Sequence, residues 1–134
     1  MRSDPSLALQ KIIRQRLIAS GDVLALIPAG NIMDSNGRPE VTPCILIGEG
    51  QSVLRRFNAT CYSTLHVWVQ EPGLVKAKDI GSAIVAALTV DAQIDGPLHL
   101  DGFTCHDLAV TNTQYMRDPH GPYSHGVVTV AGIM

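Results

Sequence analysis

The sequence predicts an α+β fold in which helices pack on one face of a mostly antiparallel sheet of about four strands. Residues 58–69 alternate with the two-residue period of a half-buried strand. Directly after the chain-breaking pair Pro72-Gly73, residues 74–88 change to a helical period. A second alternating stretch, residues 103–131, is interrupted by turn residues and is typical of a β-hairpin.

The N-terminal residues predict a helix that lies on this sheet. Ser3 or Asp4 supplies a capping side chain, and Pro5 suits the first helical turn. The helix is expected to continue to about Ala19. Its apolar residues share one face: Leu9, Ile12, Ile13 and Leu17.

A short second turn follows. Ser20-Gly21 is expected to end the first helix, and Asp22 to cap a turn over residues 23–27. Ile32-Met33 is a possible short edge strand, and the polar residues 34–39 predict an exposed loop.

The next segments lead into the long strand. Residues 43–47 form a continuous apolar run, which predicts a strand buried on both faces. Residues 48–52 are glycine-rich and predict a flexible link, either a tight hairpin or an extended arm. Arg55 and Arg56 are expected at the entrance of the long strand.

The long strand is expected to bury one of its two sides, and the helix after it one stripe. The strand has two alternating sets of side chains: Ala59, Cys61, Ser63, Leu65, Val67 and Val69 on one side, and Thr60, Tyr62, Thr64, His66 and Trp68 on the other. The helix buries a stripe made of Val75, Ile80, Ile84, Val85 and Leu88.

The C-terminal third is predicted to hold the hairpin. A polar turn over residues 89–96 and a short extended piece over 97–100 precede the turn Asp101-Gly102. The remaining elements are a strand at 103–113, a turn at 115–123 and a final strand at 124–131.

Composition narrows the function classes. The 134 residues suit one domain, and we expect residues 1–134 to form it. Charged residues make up 16%, against about 25% in typical domains, so either partners cover part of the surface or Thr, Ser and Asn solvate it. A net charge of −2 argues against a dedicated nucleic-acid binder.

The cysteines and termini point to an intracellular chain at synthesis. Cys44, Cys61 and Cys105 are widely spaced and odd in number, which predicts buried, reduced thiols. The N-terminus does not resemble a signal peptide, and the apolar runs fall short of the roughly 20 residues that span a bilayer.

Motifs for catalysis or metal binding are weak. A zinc site made of His106, His120 and His125 is one hypothesis, but the spacing of these histidines resembles no known site. His66 and Trp68 share a strand face. Neither a nucleophile elbow nor a phosphate-binding loop is recognisable. We therefore expect no enzyme activity, no catalytic residues and no cofactor or metal.

Six residues are candidates for contacts between subunits. The basic pair Arg55-Arg56 is either a solvated strand end or an interface, and the same choice applies to Arg117-Asp118. Tyr115 and Tyr123 bracket the predicted turn and suit either a cover for the hairpin or an interface.

The order of elements resembles the tail-completion, or tail-terminator, proteins of tailed phages and of gene transfer agents. The resemblance covers nearly the whole chain. It rests on the helix 7–19, on Val-Thr-Pro-Cys-Ile-Leu-Ile-Gly at 41–48, and on Leu-His-Val-Trp-Val at 65–69 with the helix after it. The most specific block is Tyr-Met-Arg-Asp-Pro-His-Gly-Pro-Tyr-Ser-His-Gly-Val at 115–127.

This resemblance implies a structural protein that forms a ring, typically a homohexamer. Such a ring caps the tail tube, ends its polymerisation and offers a docking face for the head connector. DNA passes through the central hole without sequence-specific binding, and no membrane is involved. The implied location is the bacterial cytoplasm during assembly, and then the head–tail junction of the particle.

Other functions remain open from the sequence. The nearest alternative is a head-side connector or stopper protein, or a tube-like subunit of the same particle. From a different class, a small metal-dependent enzyme or ligand-binding domain would use the histidines.

Overall fold

The computed structural model describes residues 4–34, 41–71, 73–100, 102–119 and 121–134. Parts of the sequence predictions lie outside these residues: most of the loop at 34–39, Pro72, Asp101 and His120. The elements, in chain order, are α1 (Pro5–Ala19), α2 (Gly21–Leu24), a 3-10 turn (Ala29–Asn31), β1 (Ile32–Asp34), β2 (Cys44–Leu54), β3 (Ala59–Val69), α3 (Val75–Leu88), β4 (Val90–Asp91), α4 (Ala92–Asp95), β5 (Leu98–Leu100), β6 (Phe103–Cys105), β7 (Asp107–Arg117) and β8 (Ser124–Ile133).

The predicted α+β class is confirmed. The main sheet has the order β1-β2-β3-β8-β7-β4, and its four long strands β2, β3, β8 and β7 are antiparallel to their neighbours. Two short strands flank them: β1 pairs parallel with β2, and β4 pairs antiparallel with β7. Strands β5 and β6 form a separate two-stranded sheet.

Both long helices cover the same face of the main sheet. Helix α1 packs on β2 and β3, helix α3 packs on β3, β8 and β7, and the two helices contact each other. Arg16 reinforces this contact, because its Nε donates a hydrogen bond of 2.7 Å to the carbonyl of Ala87 near the end of α3. No helix in the described part of the chain covers the opposite face, which is called the open face below.

The N-terminal helix agrees with its prediction. The Asp4 carboxylate accepts a hydrogen bond of 2.7 Å from the Ser6 N–H, which caps the helix. The hydrogen bond from the Ser6 hydroxyl, and then the one from the Ser6 N–H, lower the pKa of Asp4. The predicted apolar face is buried, and the long strand buries its odd-numbered side, which the sequence pattern had left open. They form one core with side chains of α3 and β8.

The start of the second turn was predicted wrongly. Helix α2 begins at Gly21, and its cap is Ser20, whose hydroxyl accepts from the Val23 N–H at 3.3 Å. Asp22 lies inside the helix rather than before it. A serine after one helix can cap the next because its hydroxyl accepts from a free N–H two or three residues ahead.

The predicted flexible link at residues 48–52 is instead the second half of β2. The strand continues to Leu54, with an irregularity in its pairing to β3 between Ile47 and Gly50. Gly48 allows the His66 ring to approach closely, because a Cβ at this position would lie 3.0 Å from that ring. The glycines therefore mark a bulge and a close approach, not a break.

The predicted buried stripe of α3 is correct at three of its five positions. Ile80, Ile84 and Leu88 are buried, whereas Val75 is 69% exposed and Val85 is 37% exposed. Ala77 and Gly81 take the vacant inward positions. Small residues carry little apolar signal in a sequence, yet they let a helix approach a sheet closely.

The predicted strand at 103–113 is split at His106. Cys105 and Leu108 are both buried, so the alternation of inward side chains shifts between them. The β6 segment pairs with β5, and β7 pairs with β8 as far as Arg117. The turn therefore begins after Arg117 rather than at Tyr115.

Residues 89–96 also hold more than a polar turn. They contain the short strand β4 and the single-turn helix α4. A two-residue strand leaves almost no periodic pattern, and its pairing with β7 is a long-range contact. The extended piece at 97–100 is confirmed as β5.

Candidate functional site

The predicted interface residues lie at opposite ends of the sheet. Arg55 and Arg56 occupy the turn between β2 and β3, where the Arg55 N–H donates to the Asn58 carbonyl at 2.8 Å. Asp118 and Tyr123 occupy the turn between β7 and β8, and the Asp118 N–H donates to the Tyr123 carbonyl at 2.9 Å. Strands β3 and β8 span the distance between the two turns.

Tyr115 and Arg117 lie on the last part of β7, next to the second turn. The Tyr115 ring is packed within the subunit. It lies against Gly126 of β8, and its hydroxyl reaches the position that a Cβ of Gly81 would occupy on α3. The structure thus brings Tyr115 into the helix–sheet contact, while its role in an interface stays a prediction.

The turn between β2 and β3 carries an apolar surface that the sequence interpretation missed. Leu54 is 74% exposed and Phe57 is 89% exposed. The guanidinium of Arg56 lies 5.2 Å from the centre of the Phe57 ring, within the range of a cation–π contact. The signal in the sequence is a large apolar residue on each side of two arginines in a turn.

The open face has almost no formal charge. Strands β3 and β8 contain no Asp, Glu, Lys or Arg. Threonines meet across them, with Thr64 paired to Thr129. A shallow groove of about 570 Å³ lies on this face beside Glu49 and Tyr62. An uncharged, half-buried sheet face suits contact with protein surfaces.

Histidines and one carboxylate form a row on the open face. The Glu49 Oε2 lies 3.2 Å from His66 Nε2, and His66 Nδ1 lies 2.9 Å from His125 Nε2. The His125 ring stacks on Trp68 with 4.0 Å between ring centres. A carboxylate only accepts, so neutral His66 donates to Glu49 from Nε2 and accepts at Nδ1 from His125.

The surroundings shift the pKa values in this row. Burial, and then the charge of His66, lower the pKa of His125. A backbone hydrogen bond, and then His66, lower the pKa of Glu49. The row therefore favours a neutral His125 on one side of His66 and an ionised Glu49 on the other.

The hypothetical zinc site is not assembled by the described residues. His106 lies exposed before β7, where its N–H donates to Ile133 at the end of β8, whereas His125 lies at the start of β8. His120 is outside the described residues. Among the residues that the structure describes, no group of three or more His, Cys, Asp or Glu could hold a metal ion.

The three cysteines are buried and free, as predicted. Burial raises the pKa of Cys44 to about 11, and it also raises the pKa of Cys61 and of Cys105. These thiols are therefore protonated and poorly nucleophilic near neutral pH. None of the helices in the described part of the chain is long and apolar enough to cross a membrane.

Comparison with known protein families shows which family the chain belongs to. The model of the family described as Tail completion protein gp17 matches residues 11–134. The chain belongs to this family. It is thus a phage tail-completion protein and a structural component of a virion, and the resemblance noted in the sequence is confirmed.

A solved structure supports the fold of this tail-completion protein. A chain in the structure titled "Virion of native gene transfer agent (GTA) particle" is similar to it with a TM-score of 0.75 and 18% sequence identity. The similarity covers 94% of this chain and 93% of the other. No curated protein sequence matches the chain significantly.

Proposed function

We propose that copies of this chain form a ring, a homohexamer, on the last ring of tail-tube subunits. The ring ends tube polymerisation and offers the docking surface for the head connector, and DNA passes through its hole. The observation that carries the proposal is membership of the tail completion family over nearly the whole chain. Residues 1–134 act in it as one domain, and the proposal assigns no catalytic step.

The distribution of the two turns supports a protein that has partners on two sides. The β2–β3 turn presents Arg55, Arg56 and Phe57 at one end of the sheet, and the β7–β8 turn presents Asp118 and Tyr123 at the other. A ring subunit that lies between other proteins needs contact surfaces on more than one side, and the rigid helix–sheet body holds these two turns apart.

The charge distribution supports the passage of DNA. The chain has a net charge of −2, and its two central strands contain no Asp, Glu, Lys or Arg. A strongly basic lumen would bind the phosphates of DNA and retain it through counterion release. A near-neutral ring lets DNA slide without sequence-specific binding.

Electron cryo-microscopy of intact particles tests the position of the chain. We expect a closed ring of copies between the last tube ring and the head connector. Location on the head side of that junction would instead assign the chain as a connector or stopper. Location along the tube would assign it as a tube-like subunit. The expected site of assembly is the bacterial cytoplasm, followed by the head–tail junction of the particle.

A further inference from the structure

The β2–β3 turn and the strand end before it form an exposed, basic and apolar tip, defined here as residues 53–57. Two of its side chains, Leu54 and Phe57, are 74% and 89% exposed. The tip includes two arginines and no acidic residue. Large apolar side chains next to arginines are typical of the anchor residues of protein interfaces.

The opposite edge of the sheet is acidic. Three aspartates, Asp91, Asp95 and Asp107, lie in β4, in α4 and at the start of β7, and residues 79–116 contain no lysine or arginine. We define the acidic flank as residues 91–95 of β4 and α4 together with Asp107 at the start of β7. Within it, Ile94 is 82% exposed, and Asp95 and Asp107 are exposed.

The tip and the acidic flank lie at the same position along the strand direction, on opposite edges of the sheet. The sheet register shows this, since one row of paired residues crosses five of the six strands: Val53, Thr60, Ile133, Asp107 and Asp91. The sixth strand, β1, pairs with the other half of β2. The tip extends from the β2 end of this row, and the flank occupies the β4 end. Within one subunit the two surfaces are therefore separated by β3 and β8.

We propose that the tip of one copy docks on the acidic flank of the next copy. Arg55 and Arg56 would face Asp95 and Asp107, and Leu54 and Phe57 of the tip would cover Ile94. Opposite charges at the same position along the strand direction, on opposite edges, fit a head-to-tail contact, which closes into a ring by rotation. The inference rests on the proposed ring and names its subunit interface.

Disulfide trapping tests the contact directly in the full-length chain. One chain carries Phe57→Cys and a second carries Ile94→Cys, and the two are mixed at millimolar concentration and oxidised. We expect a disulfide-linked dimer from the mixture. A double variant with both cysteines should give a ladder of covalent oligomers. The native thiols are buried, so they contribute little background.

A matched control uses Val75→Cys instead of Ile94→Cys. Val75 is 69% exposed and begins α3, which follows the far end of β3. The Phe57→Cys and Val75→Cys pair should give no more dimer than either chain alone. A mixture of the 57 and 94 variants that gives no more dimer than this control overturns the proposal.

Charge reversal tests whether the opposite charges of the tip and the acidic flank contribute to the contact between copies. Arg55→Glu with Arg56→Glu should lower the trapping yield between positions 57 and 94 about tenfold. Reversing Asp95 and Asp107 to lysine in the partner chain should restore it. Lys76→Glu with Lys78→Glu on the exposed side of α3 makes the same change in net charge and should leave the yield unchanged.

The outcomes separate this inference from the proposed function. If a ring is found at the head–tail junction but no disulfide forms between positions 57 and 94, only the proposed interface is overturned. A tip that crosslinks to the tube protein or the connector in intact particles, and not to a second copy, also overturns it. Tail length in particles lacking the protein tests the function without regard to which surfaces join the copies.

Discussion

At the residue scale, the sequence predicted which side chains of the long strand share a face but not their partners. The alternating pattern correctly puts His66 and Trp68 on the same face. It could not show that His125 lies against both, because that contact depends on the register between β3 and β8. Register across strands far apart in sequence is set by the packed core, which no local pattern encodes.

The same row predicts a pH dependence of stability. The pKa of His125 is lower in the folded chain than its ordinary value of about 6.5, so the folded state binds fewer protons than the unfolded state. Its contribution to the unfolding free energy is therefore complete above about pH 6.5 and is lost as the pH falls through the folded pKa. Urea unfolding across this range should show the loss.

The variant His125→Asn should lose less unfolding free energy on acidification than the wild type does. The matched control is His106→Asn, because His106 is exposed and lies outside the row. This control should keep the wild-type pH slope. Equal slopes for all three proteins would show that His125 is not the titrating group.

At the element scale, residues with a strong local signal were predicted well. The capped N-terminal helix, the long strand and the C-terminal hairpin are all confirmed. The wrong predictions for the strands share a cause, which is that tertiary contacts decided them, whereas the start of α2 was decided by the local Ser20 cap. Gly48 accommodates a histidine ring within a strand, and His106 marks where one alternating run divides between two sheets.

The candidate residues at the two turns were also recognised where the signal was local and missed where it was not. The sequence found both turns that carry exposed charge, because turn residues and arginine pairs are local features. It missed Phe57 and Leu54, whose exposure depends on the continuation of β2 to the end of its hairpin. It also treated Tyr115 as part of the turn, although the residue lies on β7.

The contact between Tyr115 and Gly81 gives an element-scale prediction. Alanine is favoured over glycine inside a helix by about 1 kcal/mol. At Gly81 a Cβ would collide with the Tyr115 hydroxyl, and the ring is held against Gly126. We expect Gly81→Ala to lower the unfolding free energy by about 1–2 kcal/mol despite the gain in helix propensity.

Gly21→Ala is the matched control, because nothing lies within 4 Å of a Cβ at that position in α2. Its unfolding free energy should equal or exceed that of the wild type in urea denaturation. A Gly81→Ala protein that is as stable as this control would contradict the close packing of α3 on the sheet.

At the scale of the whole molecule, the helices leave one sheet face and both sheet ends available for partners. The open face has little charge, one edge carries the basic tip, and the other carries the acidic flank. Such a subunit has different surfaces on its two sides and two ends. This arrangement suits a ring that is held between two larger assemblies.

The most direct test of the central claim is the length of tails in particles made without this protein, measured by electron microscopy. A ring that ends tube growth predicts tails of uncontrolled, greater length that are not joined to heads, and normal tails when the wild-type chain is supplied again. Tails of normal length attached to heads in the absence of the protein would contradict the account.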